Sequence, residues 1–346
     1  MYIEPVGDTA LYNLKPSNNP LVNQGRRLWR LFDQHSFLLT EQMRQAGEEN
    51  QQFSEEIQHL GDGSFSHGDW RHSWSTRNLD TLPAEERAEF EESAVLLAAL
   101  KDDLHAFNER KIRQLNTPIH CIEAQNSSSV AASASEQTAD GLVNTLKLAR
   151  NCRVMLTRNL WPQYKLVNGA RGSVCKIVYT PQNTTSVPDL VLVKFDSFTG
   201  PSALRDMPGV VALCPVTATW TTRGGQGSHR RTQLPLIPGF GFTIHKSQGM
   251  TLDKVIINLG PREFSHGLTY TAVSRVRSLN SLAFSPFPNF ERYFDPLIQL
   301  IDTCIKSIGL TSVKILQAFM PGEERRRERR CWQRDFSCPC NQIRSD

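Results

Sequence analysis

The segment 241–260, GFTIHKSQGMTLDKVIINLG, constrains the fold more than any other part of the chain. Two short apolar runs bracket a polar stretch; the run LTYTAVSRV at 268–276 follows with helical spacing, and a last apolar run, LAF, stands at 282–284. Read by period, the order is strand, short helix, strand, helix, strand. Strands alternating with helices at this spacing predict an α/β fold, a mainly parallel sheet covered by helices on both faces.

The first strand-to-helix junction also carries chemistry. The first amides of a helix lack partners within it and the helix dipole is positive at that end, so an anion is favoured there. Thr243, His245, Lys246 and Ser247 supply hydroxyl, imidazole and ammonium donors at that junction, a set suited to phosphate oxygens. Such contacts position a nucleic-acid strand without reading its bases. Gly249 fits the left-handed cap that ends so short a helix. The plain alternative is a solvated helix turn with incidental polar residues, which a bare His-Lys-Ser triplet would not exclude.

The rest of the chain divides by composition. A length of 346 residues predicts two domains of about 150 residues each. Residues 1–150 carry 14 Lys and Arg against 22 Asp and Glu, whereas 151–346 carry 25 against 13. The C-terminal part is therefore the expected partner for phosphate. LWRLF, just after Arg26, predicts a short helix and SFLL at 36–39 a buried strand. Residues 48–115 place Phe90, Ala94, Leu97, Leu100 and Leu104 at three- and four-residue spacing and are expected to be helical. The small polar residues of 126–137 bury too little to offset the entropy of ordering, so a surface loop is expected there. Strands are expected at 152–157, 172–179, 190–195, 210–213 and 233–237. A tight turn is expected at Asn168-Gly169 and a small β-barrel over 172–237.

Several function classes are disfavoured. No apolar run reaches the roughly 18 residues of a membrane span, and the first residues lack the pattern of a signal peptide, so neither membrane attachment nor secretion is expected. The eight cysteines have no regular spacing, which argues for free thiols. Cys331, Cys338 and Cys340 lack a fourth ligand for zinc, and no metal site is assigned. His67, Asp69, Trp70, His72 and Trp74 cluster in a helical region, where tryptophans at four-residue spacing are expected to pack rather than to stack on bases or bind metal.

The polar stretch resembles motif V of the RecD-like, Pif-type superfamily-one DNA helicases, whose core reads Thr-Ile-His-Lys-Ser-Gln-Gly ahead of a strand. Tyr270-Thr271-Ala272-Val273-Ser274-Arg275 resembles their motif VI, in the same order and at the same distance. Thr40-Glu41-Gln42-Met43-Arg44-Gln45 is similar to motif IV, and LVNGARG at 166–172 matches a family hairpin with Asn168 at its turn. Residues 4–8 resemble the stretch after motif III, so the similarity runs from Pro5 to about Asp295. It implies a second RecA-like, P-loop-NTPase-type domain with a Src-homology-like barrel insertion and an N-terminal helical segment. The implied layout is a tail of the first RecA-like domain and hinge at 1–45, a helical part at 46–125 and a low-complexity loop at 126–138. The second RecA-like domain takes 139–171 and 238–296, the barrel 172–237, and a helix with a basic tail 297–346.

The resemblance also implies roles. Arg275 and Arg44 reach the phosphates of ATP, with Gln248 and Gly249 beside the nucleotide. Thr243, His245, Lys246, Ser247 and Asn168 hold single-stranded DNA. Intact relatives use ATP and magnesium to translocate along and unwind DNA, in repair and recombination. Yet the sequence contains neither a GxxxxGK[ST] phosphate loop nor an Asp-Glu dipeptide. Neither substitute convinces. LVLVKFD at 190–196 is interrupted by Lys194, and Ser197 stands where a glutamate belongs; RGGQGS at 223–228 has no strand before it and no Lys-Ser or Lys-Thr after it. The expectation is a truncated helicase that depends on a separate N-terminal motor domain and is inactive alone. The alternative is a non-catalytic, single-strand-binding remnant of transposon origin. The arginine run EERRRERR at 323–330 and the family point to the nucleus, with the mitochondrion as the other compartment.

Overall fold

The computed structural model describes residues 18–31, 43–221, 227–261 and 267–290. The expected strand at 36–39, the segment 4–8, Thr40 to Gln42, most of 223–228, the tail 297–346 with its basic run, and Cys331, Cys338 and Cys340 lie outside them. In chain order the helices are α1 (Pro20–Leu31), α2 (Gln51–Asp62), α3 (His67–His72), α4 (Ala84–Ser93), α5 (Lys101–Gln114), α6 (Ser129–Ser133) and α7 (Leu268–Val273). The strands are β1 (Val95–Ala98), β2 (Ile119–Glu123), β3 (Gln125–Asn126), β4 (Thr145–Ala149), β5 (Arg153–Leu156), β6 (Arg171–Val178) and β7 (Leu190–Phe195). They continue with β8 (Val210–Leu213), β9 (Val216–Thr221), β10 (Ser228–Gln233), β11 (Leu236–Pro238), β12 (Gly241–Thr243), β13 (Val255–Asn258) and β14 (Leu282–Phe284). The described residues fall into two compact units: those within 18–87 with Gln248–Asp253 and those within 259–290, and those within Ala88–Ser247 with Lys254–Asn258.

The second unit is organised by a parallel trio of strands in the order β12-β1-β13. Leu97 stands opposite Phe242 on one side and Ile257 on the other, and Ala98 opposite Thr243 and Asn258. All four residues of β1 are buried. This strand corrects the expectation that 48–115 is helical throughout, as two or three helices. Its run VLLA satisfies helical spacing equally well, and a short apolar run between charged helices cannot be assigned by periodicity alone. The chain turns directly into α5, where Asn108 Oδ1 accepts a hydrogen bond from the Gly241 amide at 3.0 Å and ties the helix back to β12. Because the three strands run the same way, the turns after β1 and β12 leave at one edge of the sheet, where ligands bind in open α/β sheets.

A five-stranded antiparallel sheet, β11-β5-β6-β7-β8, packs a core of Val154, Leu156, Val174, Val191, Val193 and Leu236. The strands expected at 190–195 and 210–213 form as read, and that at 172–179 is shifted by one residue. The strand expected at 233–237 does not form. Pro235 has no amide to donate to a ladder, so the run breaks into β10, which pairs with β9 and β3, and β11, which pairs with β5. Residues 172–237 therefore contribute to two sheets, one of which also takes in β5.

The low-complexity stretch is ordered, against expectation, and one residue explains why. Arg231 is 1% exposed. Its guanidinium donates to the carbonyls of Leu142 at 2.8 Å, Ala131 at 2.5 Å, Ala132 at 3.1 Å and Ala134 at 2.9 Å, and to Asn126 Oδ1 at 3.0 Å. An arginine has five donors in a fixed fork, enough to order a segment whose own side chains bury little. Ala131, Ala139 and Leu142 are fully buried around it.

In the first unit, Trp74 is fully buried and donates its indole N–H to Glu56 at 2.6 Å, with the Phe53, Phe65 and Phe284 rings around it. Asp69 closes a capping box with Ser66 at the start of α3 and approaches His59 at 3.3 Å. Trp74 is thus used in packing and Asp69 in capping. Among the described residues no three His, Cys, Asp or Glu side chains come together to hold a metal ion, and no helix is long and apolar enough to cross a membrane.

Replacing Arg231 by methionine leaves four carbonyls and an amide oxygen without a donor. We expect a loss of about 3 kcal/mol of stability, read as a lower urea midpoint, together with faster amide exchange across 128–142. An unchanged midpoint would show that the segment orders without the clamp.

Candidate functional site

Two groups of side chains carry the chemistry, one in each unit. In the first unit the C-terminal end of α7 delivers Ser274 and Arg275. Arg44 meets the same place: its Nη1 donates to the Ser274 carbonyl at 2.8 Å and its Nε to Thr251 Oγ1 at 3.0 Å. Arg275 Nη2 donates to Ser274 Oγ at 2.7 Å, and the Arg275 carbonyl accepts from the Leu252 amide at 2.9 Å. Gln45, 5% exposed, donates to the Val276 carbonyl at 2.6 Å. The structure thus brings together two arginines far apart in sequence around one serine.

The site is electrostatically loaded. Burial and then the positive charge of Arg44 lower the pKa of Arg275 to about 10, and burial lowers that of Arg44 as well. Both guanidiniums stay charged near neutral pH, the charge of Arg44 disfavouring that of Arg275 and the charge of Arg277 disfavouring that of Arg44. An anion between them relieves that repulsion, and a bidentate donor suits phosphate oxygens. Tyr270, also on α7, packs against Gly61 of α2; a Cβ at Gly61 would lie 3.0 Å from the Tyr270 ring, so a larger residue would push the motif helix away.

The sequence reading assigned no role to Gln45, Thr251 or Tyr270. The nearest signals were the adjacency of Gln45 to Arg44 and the place of Tyr270 in the helical motif. Of the expected nucleotide neighbours, Gln248 and Gly249 are exposed. Gly249 has φ +80° with nothing within 4 Å of an added Cβ, so backbone conformation rather than space requires glycine there.

In the second unit, β12 runs straight into a 3₁₀ turn, Ile244–Ser247. Thr243 Oγ1 accepts from the Lys246 amide at 3.4 Å and fixes the start of the turn. Burial lowers the pKa of His245, so the imidazole is held neutral and offers N–H and lone pair rather than charge. Burial also lowers the pKa of Lys246, while the Glu136 carboxylate raises it. Ser247 departs from expectation. It is fully buried and donates to the Ile244 carbonyl at 2.7 Å, so its hydroxyl holds the turn and does not face a strand. Asn168 is exposed at the tip of a turn closed by the Ala170 amide on the Val167 carbonyl at 2.9 Å, between β5 and β6.

An α/β unit with a parallel sheet and flanking helices is the architecture of the Pif1 helicase domains. The chain is similar to a Pif1 helicase from Candida albicans (TM-score 0.58, 23% identity, 75% of this chain and 58% of that one) and to a Bacteroides Pif1 bound to single-stranded DNA (TM-score 0.56, 19% identity, 86% and 66%). No protein-family model matches. In sequence it is 36% identical over 212 residues to the human ATP-dependent DNA helicase PIF1 and 31% identical over 185 residues to the Pif1 of Bdellovibrio bacteriovorus. Those alignments take in 59% and 53% of this chain but 29% and 37% of the relatives. The chain is therefore homologous to a portion of the Pif1-type ATP-dependent DNA helicases and spans about a third of the length of these relatives.

The lowered pKa of Arg275 makes the stability of the fold depend on pH. Because the folded guanidinium releases its proton more readily than the unfolded one, its charge opposes folding. That penalty is full below about pH 10 and is relieved as pH rises toward the ordinary arginine value. Arg275→Met should accordingly raise the urea midpoint at pH 7, and raise it less as pH climbs above 10. A lower midpoint at pH 7 would show that Arg275 is retained for stability.

Proposed function

We propose that this chain supplies the arginine-bearing wall of a Pif1-type ATP-dependent DNA helicase: Arg44 and Arg275 grip the terminal phosphate of ATP, with Gln248 and Gly249 beside it. The convergence of both arginines on Ser274 carries this reading. ATP supplies the phosphoanhydride whose cleavage drives a motor of this kind, and charge stabilisation at the leaving and transferred phosphates dominates that chemistry. The donor set fits the anion. It does not supply the other half of the chemistry, because the sequence holds no phosphate loop and no Asp-Glu pair to bring in magnesium. A separate N-terminal motor domain provides both in this proposal.

Thr243, His245 and Lys246, at the carboxyl edge of the parallel trio, hold the backbone of single-stranded DNA, and Asn168 at its exposed turn adds a polar contact. Ser247 keeps the turn in shape. The solved Bacteroides relative is described as bound to single-stranded DNA, which supports the same ligand here. Nuclear placement and a role in repair or recombination belong to the same proposal and rest on the family likeness and the basic run at 323–330.

The expected outcome is that the purified chain, with ATP, magnesium and an oligothymidylate, releases phosphate no faster than buffer. Phosphate release that survives purification and disappears with Arg275→Ala would overturn the division of labour between the two halves.

A further inference from the structure

At the carboxyl edge of the parallel trio a second lysine stands beside the first. Ala98 of β1 is in register with Thr243 of β12. Lys101 begins α5 three residues after the one, and Lys246 lies three residues after the other. Parallel neighbours leaving a sheet in register bring those two positions together. The carboxylate of Glu136 sits with them: its Oε1 lies 3.4 Å from Lys101 Nζ, and its charge acts on Lys246.

Glu136 is held there by its own backbone. Its carbonyl accepts from the Gly141 amide at 2.8 Å, and the Ser135 carbonyl accepts from the Ala139 amide at 3.0 Å. Arg231 fixes the preceding turn through the carbonyls of Ala131, Ala132 and Ala134. The neighbouring acid on α5, Asp103, accepts from Asn258 at 3.3 Å. A serine-rich stretch of little apolar content is thus built into a platform whose carboxylate pairs with Lys101 and whose charge acts on Lys246.

We propose that Lys101 and Lys246 form one phosphate seat for single-stranded nucleic acid, and that Glu136 occupies this seat in the free protein and is displaced when a strand binds. The inference rests on the strand-binding reading given above and adds to it a second lysine and an internal competitor. A carboxylate carries the charge sign and acceptor geometry of a phosphodiester oxygen, so exchange of one for the other keeps both lysines paired. The binding energy available to the strand is reduced by whatever Glu136 already contributes.

The test is fluorescence anisotropy of a labelled oligothymidylate with the full chain over a range of salt concentration. Glu136→Gln should tighten binding by about threefold, and Glu136→Lys by more. Lys101→Ala should weaken it and flatten the slope of log affinity against log salt by about 0.7, the value of one lost contact to a single strand. In a chain lacking both Lys101 and Lys246, Glu136→Gln should have no effect. If Lys246→Ala weakens binding while Glu136→Gln and Glu136→Lys leave it unchanged or weaker, the competitor is refuted and the strand-binding reading stands. If neither lysine variant changes affinity, both fall.

Discussion

Two positive charges kept close together against their mutual repulsion are the constraint on which the functional reading depends. Arg44 and Arg275 come from opposite ends of the sequence, and both are hydrogen-bonded to the same serine, one through its carbonyl and the other through its hydroxyl. Neither contact neutralises charge. Thr251, Leu252 and Gln45 add neutral hydrogen bonds that fix the backbone around the pair. Gln45 holds the backbone at Val276, and Thr251 accepts from Arg44, so the two guanidiniums are positioned by neutral groups. Preorganised charge of this kind is what the proposed grip on a terminal phosphate requires.

The second unit uses a different device. Its parallel strands bring the turn after β12 and the start of α5 to one edge, so charged groups converge without either lying on a long loop. Burial of β1 on every face is what allows this arrangement. The Ser247 hydroxyl serves the turn itself, the Thr243 oxygen accepts from the turn and keeps its O–H to donate, and the imidazole of His245 is held neutral. Charge at this edge is therefore concentrated in the lysines, with the Glu136 carboxylate 3.4 Å from Lys101.

Much of this was legible in the sequence where local pattern and tertiary structure agree. Strands β7 and β8, Gly249 at positive φ and the tight turn at Asn168-Gly169 follow from alternation and turn chemistry alone. The motif resemblance singles out Arg275 and Arg44, and the structure brings both to Ser274. What stayed hidden depended on partners remote in sequence. The run VLLA fits a helix and a buried strand equally, and only its neighbours Phe242 and Ile257 decide. The stretch 126–137 looks unable to order itself, which is correct for its own side chains; Arg231, some hundred residues later, orders it. Ser247 reads as a surface donor by residue type, yet its hydroxyl turns inward to Ile244.

The central claim, that Arg44 and Arg275 together grip a terminal phosphate, is tested most directly by phosphorus NMR of inorganic tripolyphosphate titrated with the chain. This polyanion needs no base pocket, no phosphate loop and no hydrolysis. Addition of the wild-type chain should broaden the terminal-phosphorus resonance, and Arg44→Ala and Arg275→Ala should each abolish most of that effect. Equal broadening by the wild type and both variants would place the anion elsewhere and contradict the account.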